Sequence, residues 1–247
     1  MNHTTHHARS RGAFTLIELL VVISIIGILA GLILPALVGV KTKAKVVQAK
    51  VVMTQVDHAA QQYLQEYNGR PPITSLTAAG AAPDYTFGTG GTSSTNNINN
   101  AGVNNNELMS ILTARPKWIP SSATVNPNLG LNPRTIEMLN VKSSGGNTAQ
   151  GLGDDGILRD PWGQPYIVTL DIDLNGGCQD AFYKSQTVSQ NTGATGWFGM
   201  TSATGGANDF EVRAPVIVWS FGPDGAADPT TGAKLGLNND NVLSWGK

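Results

Sequence analysis

From Leu19 to Val40 the chain carries no charged residue, and ahead of this run stand Glu18 and, further back, Arg9 and Arg11 with no other acid. Its 22 residues exceed the ~20 that a helix needs to cross a ~30 Å hydrocarbon core. The run is too long for the apolar region of a signal peptide, and no small-x-small cleavage site closes it. The pattern therefore predicts a membrane-spanning helix that stays in the mature protein. Past Lys41 the pattern changes to an amphipathic one. Val52, Val56, Ala59, Tyr63 and Tyr67 recur at steps of three and four, widened by Met53, Ala60 and Leu64, while most of the polar residues lie elsewhere. Asn68-Gly69 ends this helix and Pro71-Pro72 prevents its resumption. A helix over residues 14–67 would be about 80 Å long at ~1.5 Å per residue, half in the membrane and half the spine of a domain.

The rest of the pattern is weaker. Residues 78–106, rich in Ala, Gly, Thr and Asn, read as a long surface loop. Residues 107–114 and 134–139 read as short helices, and 166–170, 181–183, 210–213 and 215–220 as strands. The expectation is an α+β fold, with a small antiparallel sheet packed on the amphipathic half of the long helix. Within the apolar run, Gly27, Gly31, Pro35 and Gly39 recur every four residues along one side. Gly27-x-x-x-Gly31 is a pattern that lets two helices approach closely in lipid, although glycine is also common in membrane helices generally. Pro35 removes a backbone donor, so a bend is expected near residues 31–35.

Composition narrows the function. Charged residues are 13% of the 247, glycines number 29 and the net charge is −1. This balance gives no argument for a nucleic-acid partner. Residues 1–56 hold six bases against the single acid Glu18, and the bases flank the apolar run on both sides. The positive-inside rule alone would favour the C-terminal side in the cytoplasm. His3, His6 and His7 have no carboxylate or cysteine beside them and are not read as a metal site. The sole cysteine, Cys178, is read as a small buried hydrophobe. No Ser/His/Asp set, HExxH, phosphate loop or C-x-x-C occurs, so an enzyme is not expected.

Arg11-Gly12-Ala13-Phe14-Thr15-Leu16-Ile17-Glu18 followed by the apolar run resembles the class III signal of type IV prepilins and type II secretion pseudopilins. The resemblance implies removal of a leader, residues 1–13, by a prepilin peptidase at Ala13-Phe14. Glu18 and Pro35 then stand at the family's spacings from Phe14; the family's usual glycine before the cut is displaced to Gly12, which leaves a cut after Gly12 as the alternative. It further implies a transmembrane and assembly helix over 14–40 and a periplasmic domain over 41–247, the leader being cytoplasmic. Assembly would rest on Phe14, Glu18, Gly27, Gly31 and Pro35, with Glu18 pairing the freed amine of Phe14 on a neighbouring subunit. The other reading of Glu18 is an interfacial carboxylate that reaches back to water.

Three further stretches resemble the major pseudopilin of type II secretion systems: Asn68-Gly-Arg-Pro-Pro72, Asp160-Pro-Trp-Gly-Gln-Pro-Tyr166, and Ser220-Phe-Gly-Pro-Asp224-Gly through Asp228 to Asn239-Asp240-Asn241 and Trp245. The last is similar to that family's calcium loop, which implies Asp224, Asp228, Asn239 and Asp240 as ligands; an Asx-rich surface turn is the alternative. Asp171-x-Asp173-x-Asn175-Gly176 matches the first half of an EF-hand loop, but its twelfth place is Phe182 rather than a bidentate Glu, and a hairpin turn is favoured over an ion there. The implied function is a structural subunit of a secretion pseudopilus in the bacterial inner membrane, polymerising with itself and working with minor pseudopilins and an inner-membrane assembly platform. Its alternatives are a type IV pilus subunit for adhesion or DNA uptake, and a membrane-anchored calcium-binding protein that never polymerises.

Overall fold

The computed structural model describes residues 15–73, 84–88, 104–116, 118 and 126–246, without the side chains of 33–36, 38 and 127. The chain divides into two compact units, Met1–Ala44 and Lys45–Lys247. Helix α1, Leu16–Glu66, is the only element of the first unit among the described residues and continues into the second. It runs through Pro35 without interruption. Its C-terminus is a Schellman motif: Asn68 takes φ 55° and the Gly69 N–H bonds the Leu64 carbonyl at 2.6 Å. The stop read from Asn68-Gly69 is thus the one the backbone uses.

In the second unit the main sheet consists of β1 (Tyr85–Phe87), β4 (Ile167–Leu170), β9 (Val216–Ser220) and β10 (Val242–Leu243), all antiparallel in the order β1-β4-β9-β10. One face packs Val168, Leu170, Val216 and Val218 on Ala49, Met53, Val56, Ala60 and Tyr63 of α1 and on α2 (Asn106–Leu112). The other packs Ile167, Ile217 and Trp219 on Phe182, Tyr183, Val188 and Phe210. This two-sided cover explains why β4 and β9 are buried at every residue and apolar at all but Thr169 and Ser220. The second layer includes a small sheet of β5 (Gln190–Thr192), β6 (Thr195–Gly196), β7 (Thr201–Ser202) and β8 (Phe210–Glu211). A two-stranded ribbon, β2 (Gly151–Leu152) with β3 (Leu158–Arg159), completes the strands described.

The α+β arrangement agrees with the expectation, and three local readings are corrected. Within the supposed loop 78–106, residues 85–87 form the edge strand β1 and bury Phe87 completely; the stretches 78–83 and 89–103 lie outside the described residues. Residues 134–139 are not helical, because Asn132 binds the Ile136 backbone through both its amide groups and the Met138 and Leu139 N–H groups bond the Leu112 carbonyl. Residues 181–183 form a turn rather than a strand. Fully buried Asp180 receives the Phe182 and Tyr183 N–H groups on Oδ1 and the Thr169 hydroxyl and Trp219 indole on Oδ2, which holds the turn against the sheet.

Candidate functional site

The turn Asp160–Tyr166 is built on one fully buried carboxylate. Asp160 Oδ1 accepts the N–H groups of Trp162 and Gln164, both at 2.9 Å, and Oδ2 accepts the Ser220 hydroxyl. Burial pushes the carboxyl above the usual aspartate value, and these hydrogen bonds offset only part of that. Asp160 thereby ties its turn to the end of β9, where the C-terminal loop begins. Trp162 packs half-buried against the core below.

The C-terminal loop brings together only part of the expected ligand set. Gly222, at φ 71°, lies so close to the Asp240 carbonyl that a Cβ would sit 2.1 Å from it. The Asp224 N–H reaches Asp240 Oδ2 at 3.2 Å. Asp240 Oδ1 and Asn241 Oδ1 are both buried without a donor, and the Asp240 carboxyl is pushed up first by burial and then by the charge of Asp224. Asn239 and Asn241 line the same small pocket as Asp240. Asp228 is committed elsewhere: its carboxylate accepts the Thr230 N–H and the hydroxyls of Thr230 and Thr231 at 2.6 to 2.8 Å. Of the expected residues, Asp224 and Asp240 lie together with Asn239 and Asn241 beside Asp240, whereas Asp228 holds its own turn. The orphaned oxygens of Asp240 and Asn241, with the exposed Asp224 carboxylate beside them, are the kind of ligands a hard, oxygen-seeking cation takes.

A different group of acids converges more closely. Asp84, Asp171 and Asp173 each place one carboxylate oxygen within 4.8 Å of the others. Phe182, which occupies the twelfth place of the sequence match, is instead in the core. Asp84 has no counterpart in that local motif; the β1–β4 register, Tyr85 opposite Leu170, carries it to Asp171.

At the head of α1, Thr15 and Glu18 form a capping box. The Glu18 N–H bonds Thr15 Oγ1 at 3.3 Å, while Glu18 Oε2 receives the Thr15 N–H at 2.8 Å and the Thr15 hydroxyl at 2.7 Å. A Thr-x-x-Glu ahead of an apolar run is the sequence signal for this arrangement, so the role of Thr15 is legible in the sequence. Gly12, Ala13 and Phe14 lie outside the described residues.

The model of the prokaryotic N-terminal methylation motif matches residues 8–34. The chain carries the class III signal of type IV pilin-like proteins. The match to the methylation motif includes Arg9, Arg11 and Glu18 and ends before the second unit begins at Lys45. No curated protein and no solved structure matches the chain. Every described side chain from Thr15 to Leu32 is exposed, Leu16 by 82% and Leu32 by 72%. Among the described residues no helix is long and apolar enough to cross a membrane; the stretch with described side chains is broken at residues 33–36.

Proposed function

We propose that the protein is a structural, non-enzymatic subunit of a type II secretion pseudopilus. It waits in the inner membrane through the apolar half of α1 and is added to a periplasmic filament whose growth moves folded cargo outward. The observation that carries this reading is the methylation motif at the head of a helix whose described side chains from Leu16 to Leu32 are all exposed. Such a continuous apolar surface calls for lipid or other copies of the helix around it. A Cβ at Gly27, Gly31 or Gly39 would meet nothing within 4 Å, so the chain's own packing does not require these glycines, whereas close approach by a second helix would. The stretches Asp160–Tyr166 and Ser220–Trp245 support a secretion subunit over a surface pilus through their sequence resemblance to the major pseudopilin. The partners implied are further copies of the chain, minor pseudopilins, a prepilin peptidase and an inner-membrane assembly platform.

Processing is the first test. Intact-mass measurement of the membrane-extracted protein is expected to show a chain beginning at Phe14 and carrying one added methyl group. A chain beginning at Met1, or inside the apolar run, would overturn the reading. Loss of export of folded cargo on deletion, without loss of surface pili, separates secretion from a pilus.

In the same reading Asp224, Asp240 and Asn241 hold calcium, which supplies positive charge to the Asp240 and Asn241 oxygens that burial leaves without donors. The loop between Gly225 and Asn241 has few buried apolar anchors, Ala227 and Ala233 among them, so ligation would stabilise it where packing does little. Binding to the folded form alone adds about 2.7 kcal/mol at a hundredfold excess over Kd. The melting temperature is expected to rise with calcium, and the Asp240→Asn variant to lose most of that rise. An Asp240→Asn protein with the full calcium response would refute this site.

A further inference from the structure

We propose that Asp84, Asp171 and Asp173 form a second, separate site for a divalent cation of the calcium type, at the end of the sheet where β1 begins and β4 ends. The site does not depend on the filament reading.

Register assembles it. Tyr85 pairs with Leu170, so one step outward sets Asp84 opposite Asp171. Asp84 is fastened there by the chain it faces: Oδ1 accepts the Ile172 N–H at 3.1 Å and Oδ2 the Gln179 N–H at 2.6 Å. Asp173 is held by Asn175, whose backbone N–H reaches Oδ1 at 3.1 Å and whose side-chain amide reaches Oδ2 at 3.0 Å. Each of these oxygens retains a lone pair after one hydrogen bond.

The observation pointing to a ligand is the Asp171 carboxylate itself. Its residue is 3% exposed; Oδ2 takes the Gly176 N–H at 2.8 Å, and Oδ1 is buried with no donor. The carboxylate that carries this orphaned oxygen is the one turned to Asp84 and Asp173. A buried acceptor left unanswered costs about 1 to 3 kcal/mol, more when charged. Among the described residues, no salt bridge is made by any of the three acids; those present join Arg134 to Glu66, Arg159 to Asp155 and Arg213 to Glu211.

Three carboxylate oxygens within 4.8 Å of one another can converge on one hard, oxygen-seeking cation. Two ligands are buried and Asp173 is exposed, which leaves an open side for the waters that complete a calcium shell. A cation here would clip the edge strand β1 to the 171–179 loop, in place of the bidentate acid that the local motif lacks.

The test is equilibrium dialysis of the full chain, extracted in detergent, against labelled calcium. Wild type, Asp171→Asn, Asp173→Asn and Asp240→Asn are compared, with circular dichroism in chelator as a check on folding. The expected result is that Asp173→Asn and Asp171→Asn each lose one bound calcium, or weaken one by about tenfold or more through the lost ligand charge, while Asp240→Asn keeps that ion. Because Asp173 is exposed, its variant folds even if Asp171→Asn does not. Calcium binding unchanged in Asp173→Asn, or binding that disappears only in Asp240→Asn, would overturn the proposal; the second outcome would leave the C-terminal site standing alone.

Discussion

Glu18→Ala protein is expected to insert and be processed but to enter filaments about a hundredfold less than wild type. The magnitude follows from the charges involved. Breaking a buried ion pair by removing one partner costs about 3 to 5 kcal/mol, and ~3 kcal/mol is about two decades in an equilibrium. The capping box adds a competing explanation, since Glu18 Oε2 is engaged by Thr15 in the isolated chain. Loss of a helix cap costs only about 1 kcal/mol. Two further variants separate the effects. Glu18→Gln can keep the cap and loses the charge, whereas Thr15→Val loses the hydroxyl and keeps the charge. If charge pairing with the Phe14 amine governs assembly, Glu18→Gln fails nearly as badly as Glu18→Ala and Thr15→Val assembles with a modest loss. Normal incorporation of Glu18→Gln, counted by crosslinking through the apolar helix, would show that the cap is the residue's whole contribution.

Asp160→Ala is expected to destabilise the second unit by about 4 kcal/mol, because it strands the Trp162 and Gln164 N–H groups and the Ser220 hydroxyl at roughly 1 to 3 kcal/mol each. That is a large share of a typical stability of about 5 to 15 kcal/mol. Denaturant titration of the extracted chain, followed by tryptophan fluorescence, measures it. Asp160→Asn retains an acceptor and should lose far less. The variant also tests the pH dependence. Burial raises the folded-state value of the Asp160 carboxyl, so the folded form binds its proton more tightly than the unfolded chain does. Its contribution is full below the ordinary aspartate value near ~4 and declines as pH rises through the raised folded value. That component of the pH profile should vanish in Asp160→Asn. Equal stability of Asp160→Ala and wild type would remove the turn from the list of structural anchors.

The sequence by itself determined what depends on neighbours along the chain. The amphipathic spacing of residues 52–67 places Met53, Val56, Ala59 and Tyr63 in the core, and Asn68-Gly69 stops α1. The apolar runs at 166–170 and 215–220 became the two central strands, because apolar residues on both pleat faces suit only a strand covered on both sides. The methylation motif was legible for the same reason, as it is one contiguous stretch. The candidate metal sites were legible only in part. Asp224 and Asp240 meet as expected from their loop, while Asp228 spends its oxygens on the threonines beside it. Tertiary structure decided the rest. Nothing local marks residues 85–87 as a strand; the unpaired edge of β4 recruits them, since its N–H and C=O groups need partners. That pairing delivers Asp84 to Asp171, and no spacing rule along the chain could have joined those residues. Likewise residues 134–139 have the composition of a weak helix, but the hydrogen bonds from Asn132 and to Leu112 win over a propensity worth only tenths of a kcal/mol per residue.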